Sequence, residues 1–388
     1  MSLHCGAQQP PCRVCFFGTY ARQYTVTQLL ADACQAADIE VVECHRPLWE
    51  KTTHKSARYF RARSIAGLLV RYVRSAVSLA RARQRIGSVP LYVVGFNGQL
   101  DCLLLRLLLL RRKTPIVMAP LVTVSETLIE DRGVLRPGSL GARLAVWLDR
   151  ASLSAATRVI MDTEAHRRYV IETFGIAPER VSTWHLGADT QVFVPTPQPD
   201  GAGPLRVLFY GSFLPLHGTK TVLQAAALLQ NRRDIEFVLA GDGPERQASM
   251  AFAREAGLTQ VRFMDWMPYR SLGEIVAGAH LCLGIFGTSA KAQMVIPNKV
   301  YQAAAAGRPI VTADTPAIRE VFTHGKTAWL CRPGDAAALA EAIETPCNDA
   351  SLRQRLGAAA AALIAERFTP AAQGQRLATI FAAATGPI

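Results

Sequence analysis

The chain has no apolar run long enough to cross a bilayer. Its longest, Leu103 to Leu110, is interrupted by Arg106 and followed by Arg111, Arg112 and Lys113, well short of the roughly 20 residues a spanning helix needs. A transmembrane anchor is therefore not expected. Met1 to Pro11 has neither a basic start nor an apolar stretch of signal-peptide length, so export is not indicated and a cytoplasmic location is expected. No Gly-x-Gly-x-x-Gly follows the first strand of either half, which argues against a dinucleotide oxidoreductase. There is no helix-turn-helix, zinc or aromatic ribonucleoprotein signature, so nucleic acid is not an expected partner. The nine cysteines show no repeating framework, as befits reduced thiols. Cys12 and Cys15 have a suggestive spacing, but Arg13 to Phe17 reads as a strand rather than the helix start a redox pair would want.

Acid is scarce in one place. From Lys51 to Leu100 there are ten Lys or Arg residues and no Asp or Glu, within a net charge of +13. Nucleic acid, an anionic membrane surface and anionic substrates would each reward such a positive field. Within Ala57 to Arg85, Ile65, Leu69, Tyr72, Ala76 and Leu79 recur at helical spacing, and Arg71, Arg74, Arg81 and Arg85 form another stripe. A basic amphipathic helix of this kind suits an anionic membrane. The alternative is a helix packed on its sheet with its arginines turned to water.

With 388 residues, half of them hydrophobic and 19% charged, the chain has the length and composition of a compact protein of two domains. Short β-branched runs alternate with helical patterns, the signature of parallel sheets wrapped by crossover helices. The first six strands are expected at Arg13–Phe17, Ile39–Cys44, Leu91–Gly95, Ile116–Ala119, Arg158–Met161 and Val181–Trp184. The second six are expected at Arg206–Tyr210, Glu236–Ala240, Val261–Met264, Leu281–Ile285, Ile310–Thr312 and Ala328–Cys331. Between the two sets, residues 195–204 combine Pro195, Pro197, Pro199, Gly201, Gly203 and Pro204 with no apolar period, as an exposed connection should. Two doubly wound domains joined there face each other across a cleft at the carboxyl ends of their strands, where open α/β sheets bind ligands. The last helices, Ala350–Glu366 and Pro370–Ala384, need not belong wholly to the second domain.

The second half carries three distinctive elements. After its first strand come Gly211, Ser212, Phe213, Leu214, Pro215, Leu216, His217 and Gly218, with a helix opening near Thr219; glycines there let backbone approach a ligand, and exposed helix-start amides favour phosphate. Gly241, Asp242, Gly243 and Pro244 follow the next strand, with Pro244 expected in the first turn of a helix. Ile296, Pro297, Asn298 and Lys299 open a third helix that continues through Gln302. A cation in a first helical turn opposes the macrodipole and so wants an anionic counterpart.

In these elements together the sequence resembles glycosyltransferase family 4, and more narrowly a bacterial branch with a Pro-Leu-His-Gly loop and an Ile-Pro-Asn-Lys helix start. The resemblance implies the GT-B fold, with two Rossmann-like parallel-sheet domains. Residues 1–194 would bind the acceptor, 195–204 link, 205–349 bind the nucleotide sugar, and 350–388 form terminal helices that can return to the first domain. It also implies a retaining transferase that moves a sugar from a nucleoside-diphosphate sugar to a lipid-linked, glycan or other acceptor. Gly211, Ser212, Phe213, His217, Gly218, Gly241, Asp242, Gly243, Pro297 and Asn298 would surround the donor, Lys299 would neutralise the leaving diphosphate, and Gln302 would face the ribose. Trp266 and Met267 would lie near the base. The family commonly has Arg and Lys where Ser212 and His217 stand, so the cationic load shifts to Lys299 with His217. Its pair of glutamates eight apart is replaced by Met294 and Gln302, which raises the alternative of a catalytically silent nucleotide-sugar-binding or scaffold protein. With no Asp-x-Asp triplet, no metal or other cofactor is expected.

On the acceptor side Gly18, Thr19 and Tyr20 should face the cleft. Relatives of this branch tend to be acidic where Ala119 stands, which makes Glu126 the candidate for an acceptor hydroxyl. Asp162 matches the branch too, or caps the helix from Glu164. The resemblance and the basic Lys51 to Leu100 region together place the protein peripherally on the inner face of the membrane.

Overall fold

The computed structural model describes residues 11–22, 24–48, 62–110, 113–199 and 203–386. All twelve expected strands are present, with ends that differ by a residue or two. The first sheet contains β1 (Arg13–Gly18), β2 (Glu40–His45), β3 (Tyr92–Val94), β4 (Ile116–Met118), β5 (Arg158–Met161) and β6 (Val181–Thr183) in the order β2-β1-β3-β4-β5-β6. The second contains β7 (Leu205–Tyr210), β8 (Ile235–Ala240), β9 (Val261–Met264), β10 (Leu281–Leu283), β11 (Ile310–Ala313) and β12 (Trp329–Cys331) in the order β12-β11-β10-β7-β8-β9. Every pairing is parallel. Val207, Leu208 and Phe209 are each 0% exposed, because helices cover both faces of the sheet.

The strand order reverses between β1 and β3 in one sheet and between β7 and β10 in the other. Ligands of open α/β sheets enter at such points. On one face of the first sheet the helices Ala62–Ile86, Gln99–Leu108 and Leu140–Ala155 place Leu79, Leu105 and Leu153 in one core with Phe17 and Met118. On the other face the helix Thr25–Ala36 packs against the terminal helix Pro370–Thr385. They approach so closely that a Cβ at Gly374 would stand 2.5 Å from the Ala33 carbonyl oxygen. Trp184 Nε1 donates to the Gln373 carbonyl at 3.3 Å, and Gln373 Nε2 donates to that of Leu186 at 3.0 Å.

Three sequence expectations change. The helix Ala62–Ile86 buries Leu79 but leaves Leu69 59% exposed; the sheet is reached only by its C-terminal half. Ile65's side chain and residues 49–61 lie outside the described residues. Pro244 stands ahead of the helix Arg246–Glu255 rather than in its first turn, since the Glu245 amide is drawn to the Phe213 carbonyl at 3.0 Å. The linker segment 195–199 is pinned as well as exposed: the Arg308 guanidinium, 0% exposed, donates to Thr196 and, at 2.7 Å, to the Pro197 carbonyl. Residues 200–202 of the linker lie outside the described residues.

Candidate functional site

The loops after β7 and β8 interlock at the cleft edge of the second sheet. Gly211 donates its amide to the Ala240 carbonyl at 2.9 Å, and Phe213 donates to that of Asp242 at 3.0 Å. A Cβ on Gly241, whose φ is +131°, would stand 2.0 Å from the Gly211 carbonyl oxygen. One on Gly243 would stand 2.5 Å from the Phe213 nitrogen. Only glycine permits this approach. The chain then makes a single turn at Pro215–His217, and Gly218, with φ +65°, starts the helix Thr219–Leu228. A Cβ on Gly218 would meet the Phe286 backbone at 2.6 Å, which fixes this loop against the one after β10.

The helix Asn298–Ala305 begins beneath that glycine turn, with Pro297 as its cap and Asn298 half-buried. Lys299 is 6% exposed and its Nζ has no hydrogen-bond partner. The ammonium sits 3.9 Å from the centre of the Phe209 ring. A Cβ added to Gly211 would touch Lys299 Nζ at 3.4 Å and His217 Cε1 at 3.7 Å, so cation and imidazole converge under Gly211. Burial without a counter-ion holds Lys299 well below the ordinary lysine pKa. An orphaned cation at a helix start under an all-backbone cradle is an arrangement that an anion completes.

Gln302 lies one turn further along the same helix and is 5% exposed. Ser212 is half-buried on the loop, Phe213 is fully buried in the core beneath it, and Asp242 is half-buried beside Gly243. Trp266 and Met267 follow β9 at the same edge of the sheet; the Trp266 ring is 62% exposed and Met267 is half-buried. The structure thus brings the Gly211 loop, His217 and Lys299 together, while Trp266 lies just past the edge strand β9.

The acceptor-side residues behave differently. A Cβ on Gly18, with φ +137°, would strike Asp101 Oδ2 at 2.5 Å. That oxygen accepts from the amide and hydroxyl of Thr19 at 2.7 and 2.9 Å. Tyr20 is 3% exposed and donates its hydroxyl to Glu43 at 2.8 Å. Thr19 and Tyr20 are therefore held by protein partners rather than left open to the cleft: buried Asp101 takes Thr19, and Glu43, on the exposed side of β2, takes the Tyr20 hydroxyl.

Glu126 also departs from expectation. It is 0% exposed, with Oε2 2.9 Å from His166 Nε2 and Oε1 3.5 Å from Lys291 Nζ. His166 Nδ1 is 2.8 Å from Asp162, so Asp162 orients the imidazole while Thr163 caps the helix Glu164–Phe174. Burial would raise the Glu126 carboxyl, but the charge and hydrogen bond of His166, with the charge of Lys291, outweigh it and lower it to about 2. Burial likewise presses His166 down, yet Glu126 and Asp162 raise it to about 10. Neither group changes charge near neutral pH, so the pair supplies a fixed ion bridge rather than a proton shuttle.

That bridge joins the two halves. Lys291 Nζ donates to Thr127 Oγ1 at 2.8 Å, and the Leu216 amide donates to Asp131 Oδ1 at 3.2 Å. Thr163 Oγ1 donates to the Met294 carbonyl, and Glu320 accepts the amides of Glu164 and Ala165 at 2.7 and 2.8 Å. Sequence reasoning missed Asp101, His166, Lys291 and Glu320. Only His166, four residues after Asp162 where a helix face repeats, left a local signal.

The glycine loops and the Lys299 helix fall within residues 204–349. That stretch matches the family of glycosyl transferases group 1. Over 257 residues the chain is 25% identical to the alpha-D-kanosaminyltransferase of Streptomyces kanamyceticus, an alignment covering 61% of this chain and 63% of that relative. The chain thus spans less than two thirds of the relative's length. Among solved structures, Anabaena Alr3699/HepE in complex with UDP and glucose aligns with a TM-score of 0.67 at 17% identity, covering 94% of this chain and 98% of that one. Sucrose-phosphate synthase from Thermosynechococcus elongatus aligns with a TM-score of 0.72 at 15% identity, covering 94% and 97%. The fold is GT-B. In the glycosyl transferase group 1 region, the interlocked glycine loops and Lys299 occupy the cleft edge of the sheet at its topological switch point.

Proposed function

We propose that the protein is a retaining glycosyltransferase that moves a sugar from a nucleoside-diphosphate sugar to a lipid-linked or glycan acceptor. The observation that carries this reading is the buried, unpartnered Lys299 ammonium beneath the Gly211 turn. The donor diphosphate supplies its missing counter-charge, and Lys299 in turn neutralises the charge that grows as the glycosyl bond breaks. His217 stands beside it, Gln302 meets the ribose and Trp266 offers a face to the base. UDP bound to HepE supports a uridine nucleotide as the first donor to try. The leaving diphosphate, rather than Glu126, accepts the acceptor proton, since Glu126 is walled off and held ionised. Glu126 instead positions the acceptor half through Lys291.

No metal is needed in this scheme, because Lys299, His217 and helix-start amides meet the diphosphate. Among the described residues no helix is long and apolar enough to cross a membrane. The basic Lys51 to Leu100 region supports peripheral placement on an anionic, cytoplasmic membrane face, where a lipid-linked acceptor is presented. A thermal-shift panel of nucleoside diphosphates and nucleotide sugars tests the donor reading: the cognate ligand raises the midpoint without divalent metal. Stabilisation only with magnesium or manganese would overturn the metal-free scheme. Binding without hydrolysis or transfer, once an acceptor has been identified from the glycans of cells lacking the gene, would favour a silent sugar-nucleotide subunit.

A further inference from the structure

The helices Ala62–Ile86, Gln99–Leu108 and Leu140–Ala155 lie side by side on one face of the first sheet, and each turns apolar side chains outward. On the first helix Leu69, Val73 and Val77 repeat every fourth residue and are 59%, 53% and 47% exposed. Leu107 and Leu110, on and just past the second helix, are 62% and 72% exposed. On the third, Leu140, Leu144 and Trp147 repeat at helical spacing and are 82%, 63% and 59% exposed. The first helix thus has two apolar stripes, one inward through Leu79 and one outward, and each neighbouring helix adds exposed apolar side chains of its own. So many large apolar side chains exposed on three neighbouring helices point to a partner.

The charges identify that partner. Arg74, Arg81, Arg106, Arg143 and Arg150 are exposed around the apolar stripes. The only carboxylates on the described parts of these helices, Asp101 and Asp149, are each 1% exposed. Both are occupied internally, Asp101 by Thr19 and Asp149 by the amide and hydroxyl of Ser125 at 2.7 Å. A second copy of the chain on this face would set arginine against arginine with no acid to answer it. A polyanion would answer the arginines and leave the leucines in water. A bilayer with anionic headgroups satisfies both layers, as amphipathic surface helices do when they lie in the interface.

We propose that this three-helix face seats the protein on an anionic lipid bilayer, with Trp147 and the exposed leucines inserted below the headgroups and the arginines among them. The inference rests on the peripheral-membrane reading and deepens it: the contact is insertion by three helices, not adsorption of the Lys51 to Leu100 charge alone. Helices that follow strands begin at the carboxyl edge of the sheet, so Leu140 opens its helix on the cleft side. Lipid contact there brings the acceptor half against the surface that would carry a lipid-linked hydroxyl.

The full-length protein is mixed with vesicles of phosphatidylethanolamine and phosphatidylglycerol, with and without brominated acyl chains, and tryptophan emission is followed. Brominated lipid should quench the parent protein, and Trp147→Phe should remove that quenching while binding persists. The pair Leu144→Asp and Trp147→Asp should weaken vesicle partition about tenfold or more with an unchanged unfolding midpoint, as both sites are exposed. Vesicle binding with quenching unaffected by Trp147→Phe would sink the insertion proposal and leave electrostatic adsorption standing. No vesicle binding at low salt would overturn both. Concentration-dependent dimers dissolved by the aspartate pair, without vesicle affinity, would assign the face to a second copy and overturn the proposal.

Discussion

Replacing Lys299 by methionine should make the ligand-free protein more stable and the diphosphate complex far weaker. The Lys299 ammonium has no hydrogen-bond partner, and its visible compensation is the Phe209 ring at 3.9 Å, a contact worth about 1–2 kcal/mol. Removing a buried, uncompensated charge in favour of an apolar group of similar length should gain about 1–3 kcal/mol, or roughly 2–4 °C in midpoint for each kcal/mol in a unit of this size. The sign with pH follows from linkage. Burial sets the native pKa of Lys299 below its ordinary 10.5, so the unfolded chain holds more protons in that window and parent stability rises as pH climbs through it. The advantage of Lys299→Met is therefore greatest toward neutral pH and fades as pH approaches 10.5. Scanning calorimetry across that range measures the stability term. Titration calorimetry with UDP and with uridine measures the ligand term: losing the charge across a buried contact should weaken UDP by about 2–5 kcal/mol, roughly thirtyfold to a few thousandfold, and leave uridine nearly unchanged. A variant that is destabilised, and that weakens UDP and uridine equally, would show that Lys299 is a packing residue and that the diphosphate lies elsewhere.

Glu126→Gln should destabilise the protein by about 3–5 kcal/mol, because it strands buried His166 and Lys291 charge; an unchanged denaturation midpoint would remove Glu126 from the bridge. In the parent, the Glu126 contribution is fully present above its ordinary 4.5 and is lost as pH falls toward about 2. The His166 contribution is fully present below 6.5 and is lost as pH rises toward about 10. Urea midpoints measured across both windows should fall on each side, and a flat profile would contradict the ion bridge. Trp266→Ala should weaken uridine and UDP alike by about 1–3 kcal/mol if the exposed ring stacks on the base, whereas an effect confined to UDP would move Trp266 out of the nucleoside site.

The two parallel sheets wrapped by helices were legible because each strand and helix leaves a short-range period and parallel βα units admit few ways to assemble; the GT-B assignment came with the family resemblance. The glycine loops of the second sheet were legible for a related reason. Gly211, Gly218 and Gly241 sit where strands hand over to helices, and Lys299 is placed by Pro297 at a helix start, each position set by its immediate neighbours in the chain. The reading of Glu126 as an open cleft carboxylate failed because what surrounds it comes from elsewhere in the chain: His166 lies 40 residues on and Lys291 on the other half. Thr19 and Tyr20 likewise looked available until Asp101 and Glu43 were seen to hold them.

By itself, then, the sequence determined the strands, the two-sheet plan and the glycine turns after β7 and β8, since those depend on neighbours in the chain and on backbone sterics. Only the tertiary structure decided which side of the helix Ala62–Ile86 reaches the sheet, because Leu69, Val73 and Val77 are as apolar as buried Leu79 and periodicity cannot rank two stripes. It alone left Lys299 without a counter-ion and gave Glu126 two, because charge compensation depends on distance in space and not on spacing in sequence.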